Sequence, residues 1–211
     1  MELNTANLEL RGNIPERLPA WTKLDFHQCS ICPLEVVTDP YCPLAANIVN
    51  VVQQFDGLIS YDTIKVDVIT KERRITQHTT AQRAISSIIG LIIATCGCPH
   101  TSFFKPMARF HLPFASEQET IFRATSMYLL AQYYLKKESF RIADFDFEGL
   151  NRIYNNIQII NFAIIERLRN ATSTDSLINA IVLLDSYAQA LPLAIDESLD
   201  EMRHLFHPFF K

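Results

Sequence analysis

Apolar residues recur three or four positions apart along most of this 211-residue chain, which is the spacing of one helix face. Residues that end helices, such as Gly, Pro and paired Lys, divide this pattern into separate segments. The predicted helices cover residues 43–58, 80–96, 116–137, 150–168, 174–192 and 196–207. The sequence therefore predicts a mainly α-helical protein.

A second, shorter pattern indicates β-structure. Apolar and polar residues alternate over 64–68, and residues 75–78 follow after the polar turn 70–73. Alternation with a period of two places one side of a strand against a core, so we predict a β-hairpin here. Leu24 and Phe26 alternate with polar neighbours in the same way and predict a short strand before the first cysteines.

The segment from Ala84 to Cys96 is the most apolar helix, and we expect the core to be built around it. Gly97 suits the left-handed residue that ends a helix, and Pro99 prevents continuation. Because no repeat or flexible linker interrupts the chain, we predict a single domain, a helical bundle of class mainly α (α+β). Its parts are a Cys-containing N-terminal segment (1–41), a central region (42–137) and C-terminal helices (146–207), together spanning 1–211.

Charge and hydropathy limit the partners and the compartment. The formal net charge of −4 gives no basic excess for nucleic-acid binding. The N-terminal residues have neither the basic start nor the apolar stretch of a signal peptide. The uncharged run 84–104 is truly apolar for only about 14 residues, short of the roughly 20 that a bilayer requires. We expect a cytoplasmic protein with reduced thiols and no membrane or nucleic-acid partner.

The five cysteines and two of the histidines fall into two clusters, which carry the most specific chemistry in the sequence. The first holds His27, Cys29, Cys32 and Cys42, and the second holds Cys96, Cys98 and His100. A C-x-x-C pair lets two thiolates bind one tetrahedral metal ion, but neither cluster alone provides four well-spaced ligands. We therefore predict that the clusters converge on one zinc ion. The expected ligands are Cys29, Cys32, Cys42 and Cys98, with Cys96 or His100 as substitutes.

Other chemistries compete for the same cysteines. Ordinary buried thiols would need no metal at all. A strand followed by C-x-x-C is typical of thioredoxin-like proteins, although Pro33 and Pro40 favour a loop where that family has a helix. The dipeptide Cys-Pro occurs three times and resembles haem-regulatory motifs, and an iron–sulfur cluster is a further alternative.

A cationic segment follows the second cluster directly. Lys105, Arg109 and His111 could hold an anionic ligand beside a metal. If these three residues line a pocket that opens onto the metal, an enzyme is favoured. Solvated cations on a loop anchored by Phe residues are the structural alternative. Asp144 and Asp146 are interpreted as helix-capping residues.

Three motifs resemble those of an uncharacterised family of bacterial proteins. They are Cys29-x-x-Cys32-Pro-Leu, Cys42-Pro-Leu-Ala and Gly97-Cys98-Pro-His100-Thr, followed by the segment from Lys105 to Pro113. The resemblance covers residues 20–135 and leaves the C-terminal helices outside it. It implies a bacterial source but no activity, because none is known for that family.

Two classes of function remain open at this point. The leading hypothesis is a metal-binding protein that acts by binding, in regulation or as an interaction platform for an unknown protein or small molecule. The alternative is an enzyme, either metal-dependent or a thiol–disulfide oxidoreductase that uses Cys29 and Cys32. A structural zinc site is closed by four protein ligands, whereas a catalytic site keeps one position open.

Overall fold

The computed structural model describes residues 2–4, 8–11, 14–139 and 142–210, and it is mainly helical. Its strands are β1 (Glu2–Asn4), β2 (Glu9–Arg11), β3 (Thr63–Ile69) and β4 (Arg74–Thr80). Its α-helices are α1 (Pro43–Phe55), α2 (Ala81–Thr95), α3 (Lys105–Arg109), α4 (Glu117–Ser139), α5 (Glu148–Leu168) and α6 (Ser176–Met202). Short 3-10 helices cover Ala20–Thr22, Ser102–Phe104 and Arg203–Phe210. The predicted class, mainly α with a small β-element, is confirmed.

The two β-elements are antiparallel hairpins. β3 pairs with β4 from Thr63 opposite Thr80 to Ile69 opposite Arg74, as the alternating pattern predicts. The pairing of β1 with β2 lies in a segment for which no strand was predicted. The predicted strand at Leu24 is wrong, since the chain makes only an isolated bridge there, between residues 23 and 41. Pro40 lies beside that bridge and has no amide hydrogen to continue a ladder.

The core forms where α2, α5 and α6 pack together. Ile85, Ile89 and Ile92 repeat along one face of α2, and each is fully buried. Ile181 of α6 and Leu168 of α5 are likewise inaccessible to solvent. α2 is not buried all round, because its partly exposed side lines a cavity described below. The prediction that this helix is central to the core therefore holds, and α6 contributes as much as α2.

α6 continues through Pro192, although the sequence predicts that a helix stops there. Proline has no N–H group, so the carbonyl group of Ala188 four residues earlier loses its helical hydrogen bond. The side-chain amide of Gln158 on α5 donates to that carbonyl oxygen at 3.0 Å. A donor from the neighbouring helix thus replaces the missing backbone donor, which no local pattern could reveal.

Side-chain caps fix the starts of the long helices α4 and α5. The backbone N–H of Ser116 donates to Glu119 and the N–H of Glu119 donates to the Ser116 hydroxyl, which confirms the predicted capping box. Asp144 accepts from the N–H of Gly149 at 2.7 Å and from the Tyr128 hydroxyl at 2.7 Å. Asp144 therefore caps the start of α5, as its sequence position suggests.

The stretch Ser176–Phe210 is, among the described residues, long and apolar enough to cross a membrane by length and composition alone. Core helices of soluble proteins pass the same test. Ala180, Ile181, Ala188 and Leu191 of this stretch are buried in the core. One such helix is by itself weak evidence for a membrane segment.

Candidate functional site

Cysteines from both sequence clusters line one small cavity. Cys29, Cys32, Cys42 and Cys98 all border a space of about 20 Å³ between the N-terminal loop, the start of α1, the end of α2 and α5. These are the four residues that the sequence predicts as ligands, and they come together although more than 50 positions separate Cys42 from Cys98.

One hydrogen bond joins the two clusters, and two backbone hydrogen bonds shape the N-terminal loop that carries the first. The Nε2 atom of His100 lies 2.7 Å from the carbonyl oxygen of Ile31, between the two residues of the C-x-x-C pair. Because a carbonyl group only accepts, Nε2 carries the proton and donates. Within the N-terminal loop, Cys32 N–H donates to the Cys29 carbonyl group at 3.0 Å, and Cys42 N–H donates to Thr22 at 2.8 Å. His100 thus joins the two loops through a hydrogen bond instead of offering Nε2 to a metal.

Arg167 of α5 is buried in the wall of the same cavity. Its side chain is 1 % exposed, and its guanidinium group donates to the carbonyl oxygens of Trp21 at 2.8 Å, Lys23 at 2.7 Å and Leu24 at 3.1 Å. No ion pair in the part of the chain that the structure describes includes Arg167. A full positive charge therefore lies buried beside four thiols, and its hydrogen-bond partners among the described residues are neutral carbonyl groups.

Burial and the neighbouring thiols favour the protonated forms of Cys29 and Cys98. Burial, with smaller contributions from Cys32, Cys98 and Cys42, raises the pKa of Cys29 to about 12. Burial also raises the pKa of Cys98. In the other direction, burial lowers the pKa of Arg167, while Cys42, Cys29 and Cys32 raise it. The four thiols and the guanidinium group thus form one electrostatically coupled cluster.

The remaining candidates of the two clusters lie outside this cavity. Cys96 is buried, and its thiol donates to the Ile93 carbonyl oxygen at 3.4 Å. His27 is exposed. Within the described ranges, no group of three or more His, Cys, Asp or Glu side chains is arranged so that it could hold a metal ion as placed.

The three residues predicted to bind an anion do not act together. His111 lines a second cavity, of about 230 Å³, which borders α5 nearer its start than the thiol cavity does. Lys105 is exposed, and Arg109 lies 3.9 Å from Glu72 and stacks on Phe110 with its guanidinium carbon 5.1 Å from the ring centre. Because the larger cavity shares no lining residue with the thiol cavity, it does not open onto the predicted metal position.

His111 should make the stability of the protein depend on pH. Burial, with a smaller contribution from the positive charge of Arg123, lowers its pKa to about 4. The unfolded chain, with an ordinary histidine, binds more protons between pH 6.5 and 4, so stability falls as the pH is lowered through this range. We expect a loss of about 2 kcal/mol by pH 5, relative to pH 7.5, that the variant His111→Gln does not show. Urea midpoints of both proteins at the two pH values measure it, and equal losses would contradict it.

Two polar residues on the apolar face of α5, Arg167 and Asn161, were not predicted from the sequence as site residues. Arg167 lies three positions after Ile164, and Asn161 lies four positions after Ile157, so both fall in the stripe that faces the core. A buried polar side chain needs partners, and each of these two lines a cavity. Polar interruptions of an otherwise apolar helix face are the signal that could have identified them.

Comparison with known proteins gives a family but no described activity. A family model for a domain of unknown function (DUF6901) matches residues 1–207. No curated protein and no solved structure matches the chain at the threshold applied. The predicted membership in an uncharacterised family is confirmed, whereas the expectation that the C-terminal helices lie outside the resemblance is wrong.

Proposed function

We propose that this chain, which belongs to the DUF6901 family of domains of unknown function, binds one zinc ion through Cys29, Cys32, Cys42 and Cys98. The convergence of these four thiols on one cavity carries the proposal. The ion would join the N-terminal loop to the end of α2 and to α5. The protein would then act by binding a partner, not by catalysis. A bacterial source and a cytoplasmic location are part of the same proposal.

The size of the cavity favours a single ion over a larger cofactor. A space of about 20 Å³ is close to that of one water molecule. A haem or an iron–sulfur cluster would need the surrounding loops to move apart. Four thiolates prefer a tetrahedral ion, and zinc is the most common ion in sites of this kind. Binding requires the thiols to turn about their Cα–Cβ bonds toward a common centre.

The buried charge of Arg167 supports thiolates at this position. Zinc with four thiolates carries a net charge of about −2, which is costly to bury without a cation nearby. Arg167 already lies in the cavity wall and has no carboxylate bonded to it among the described residues. The metal centre would supply a counter-charge beside the guanidinium group, in addition to that of the nearby Asp25.

The same features argue against the enzyme alternatives. Four cysteine ligands would close the coordination sphere, whereas catalytic zinc keeps a position for water or substrate. A catalytic thiol needs a lowered pKa, but burial and the neighbouring thiols raise the pKa of Cys29 to about 12. The larger cavity is separate from the thiols, so no substrate held there would reach the metal.

Metal analysis of a paired variant tests the proposal. We expect protein purified under reducing conditions without an affinity tag to contain one zinc ion per chain, measured by elemental analysis. The variant Cys29→Ser, Cys32→Ser should contain none. Loss of an ion supplied at about a thousand times its Kd removes about 4 kcal/mol of stability, or roughly 10 °C in Tm.

Cys96→Ser is the matched control, because Cys96 is a buried thiol at the same helix end but outside the cavity. It should keep its zinc. Equal zinc content in Cys96→Ser and the paired variant, or a wild-type protein that takes up no zinc under reducing conditions, would refute the proposal. Stoichiometric iron in place of zinc would refute the metal identity and keep the ligand set.

A further inference from the structure

We propose that the 230 Å³ cavity lined by His111 and Asn161 binds a small aromatic carboxylic acid that carries a hydroxyl group. The carboxylate would lie toward the two arginines of the cavity wall, and the hydroxyl group would donate to Asn161. This site is independent of the thiol cavity, and its test does not need the metal.

The cavity is partly open to solvent and large enough to admit a small ligand. For comparison, an engineered apolar cavity of about 150 Å³ already binds benzene. A volume of about 230 Å³ therefore has room for one ring with a polar group at each end. Phe104 and Tyr154 line the space as an edge-to-face pair with ring centres 5.3 Å apart, and Met107 lies in the same wall. An aromatic body suits such a wall.

Asn161 supplies a polar atom that lacks a partner. Its side chain is 1 % exposed and lines the cavity, and its Nδ2 donates to Asp185 at 3.1 Å. Asp185 also accepts from Gln189, so both amides are oriented by the same carboxylate. The Oδ1 atom of Asn161 is buried without a hydrogen bond among the described residues. Buried acceptors are rarely left unpaired, and a hydroxyl group of a ligand would satisfy this one.

The charges around the cavity select an anion. Arg83 and Arg123 line it, and no Asp or Glu is among its lining residues in the part of the chain that the structure describes. Arg123 lies close enough to Tyr154 to lower the pKa of that hydroxyl group, against the larger effect of burial. Its own side chain donates to the carbonyl oxygens of Met107 and Phe110, which holds the guanidinium group at the wall. Glu119, one turn away, offsets part of its charge.

The spacing of the two polar ends fits one ring. Tyr154, beside Arg123, and Asn161 lie two turns apart on α5, which is about 10 Å at a rise of 1.5 Å per residue. A ring with substituents in para positions, with a hydrogen bond of about 3 Å at each end, spans a distance of this order. The carboxylate and hydroxyl groups of the ligand should therefore lie at opposite ends of the ring.

Gly90 keeps part of this space open. It lies in the middle of α2 and in the cavity wall, where alanine would favour the helix. A Cβ atom at this position would meet only Leu184, at an ordinary distance of 3.6 Å. The described residues therefore leave room for a side chain at position 90. A larger residue there can fill part of the cavity without breaking the helix.

Titrations with three related probes test the proposal. The probes are para-hydroxybenzoate, benzoate, which lacks the hydroxyl donor, and para-cresol, which lacks the carboxylate. We expect para-hydroxybenzoate to bind at micromolar to millimolar concentration and each of the others about tenfold more weakly, measured by calorimetry or NMR shifts. Equal affinities for the three probes, or no binding of any of them at millimolar concentration, would overturn the proposal.

Two variants connect the preference to named residues. Asn161→Leu should remove the preference for para-hydroxybenzoate over benzoate, because the acceptor is gone. Gly90→Leu should abolish binding by filling the cavity, while Gly90→Ala, its matched control, retains it with reduced affinity. If Asn161→Leu kept the hydroxyl preference, or if Gly90→Leu bound like wild type with its helical spectrum intact, the ligand would lie elsewhere and the assignment would be wrong.

Discussion

Replacing Ile89 with Asp should prevent the protein from folding. Ile89 is fully buried in the middle of α2, where this helix packs against the rest of the core. The substitution removes an apolar side chain and buries a carboxylate without a cationic partner, which costs more than about 4 kcal/mol. Typical domains have only about 5–15 kcal/mol of stability in total. Loss of the cooperative melting transition in circular dichroism is the expected result.

Ile142→Asp is the matched control for this experiment. Ile142 is 98 % exposed, so the same chemical change there should alter stability by no more than about 0.5 kcal/mol. A soluble Ile89→Asp protein with the wild-type melting temperature would show that the core is not centred on α2. Aggregation of both variants would point to added charge and not to the buried position as the cause.

Local pattern was sufficient to predict most of the secondary structure. The period of three to four in α1, α2, α4 and α5 reports burial of one face, and burial is what stabilises these helices in the fold. The hairpin of β3 and β4 follows from alternation in the same way. The short helix α3 was not predicted, because its five residues are too few to show a period.

Long-range contacts set the limit of prediction. The continuation of α6 past Pro192 depends on a donor from Gln158, which is 34 positions earlier in the sequence. The role of His100 depends on a carbonyl group of residue 31, brought near by the tertiary fold. Neither partner is recognisable from neighbouring residues, so a local rule predicts a helix end at Pro192 and does not reveal the hydrogen bond that His100 makes.

That four cysteines line one cavity could be predicted because the chemistry of zinc binding is restrictive. Few residue types bind zinc, and neither cluster alone provides four with suitable spacing, so convergence was the simplest arrangement. The cationic segment shows a different outcome. Lys105, Arg109 and His111 are close in sequence, but they do not line one cavity: Lys105 is exposed, Arg109 lies near Glu72, and His111 follows the short helix and lines the larger cavity.

Arg167→Met should be the most damaging substitution at the candidate site itself. Methionine keeps much of the apolar length of the side chain but removes three hydrogen bonds from a charged donor. The carbonyl groups of Trp21 and Leu24 would then lack these donors in a buried environment, where each unpaired group costs about 1–3 kcal/mol. We expect a loss of about 3–5 kcal/mol, or roughly 10 °C in Tm, measured by urea and thermal unfolding.

Arg169→Met, two residues further along, is the matched control, because it also removes a guanidinium group but from an exposed position. Arg169 forms an exposed ion pair with Glu166, which contributes at most about 1 kcal/mol.

The stability of Arg167→Lys should lie between those of Arg167→Met and Arg169→Met, because lysine keeps the charge beside the thiols but has fewer donors for the three carbonyl groups. If Arg167 also supports the metal centre, Arg167→Lys should retain zinc and folded Arg167→Met should retain less. Equal stabilities of Arg167→Met and Arg169→Met would mean that this guanidinium group does not hold the N-terminal segment in place.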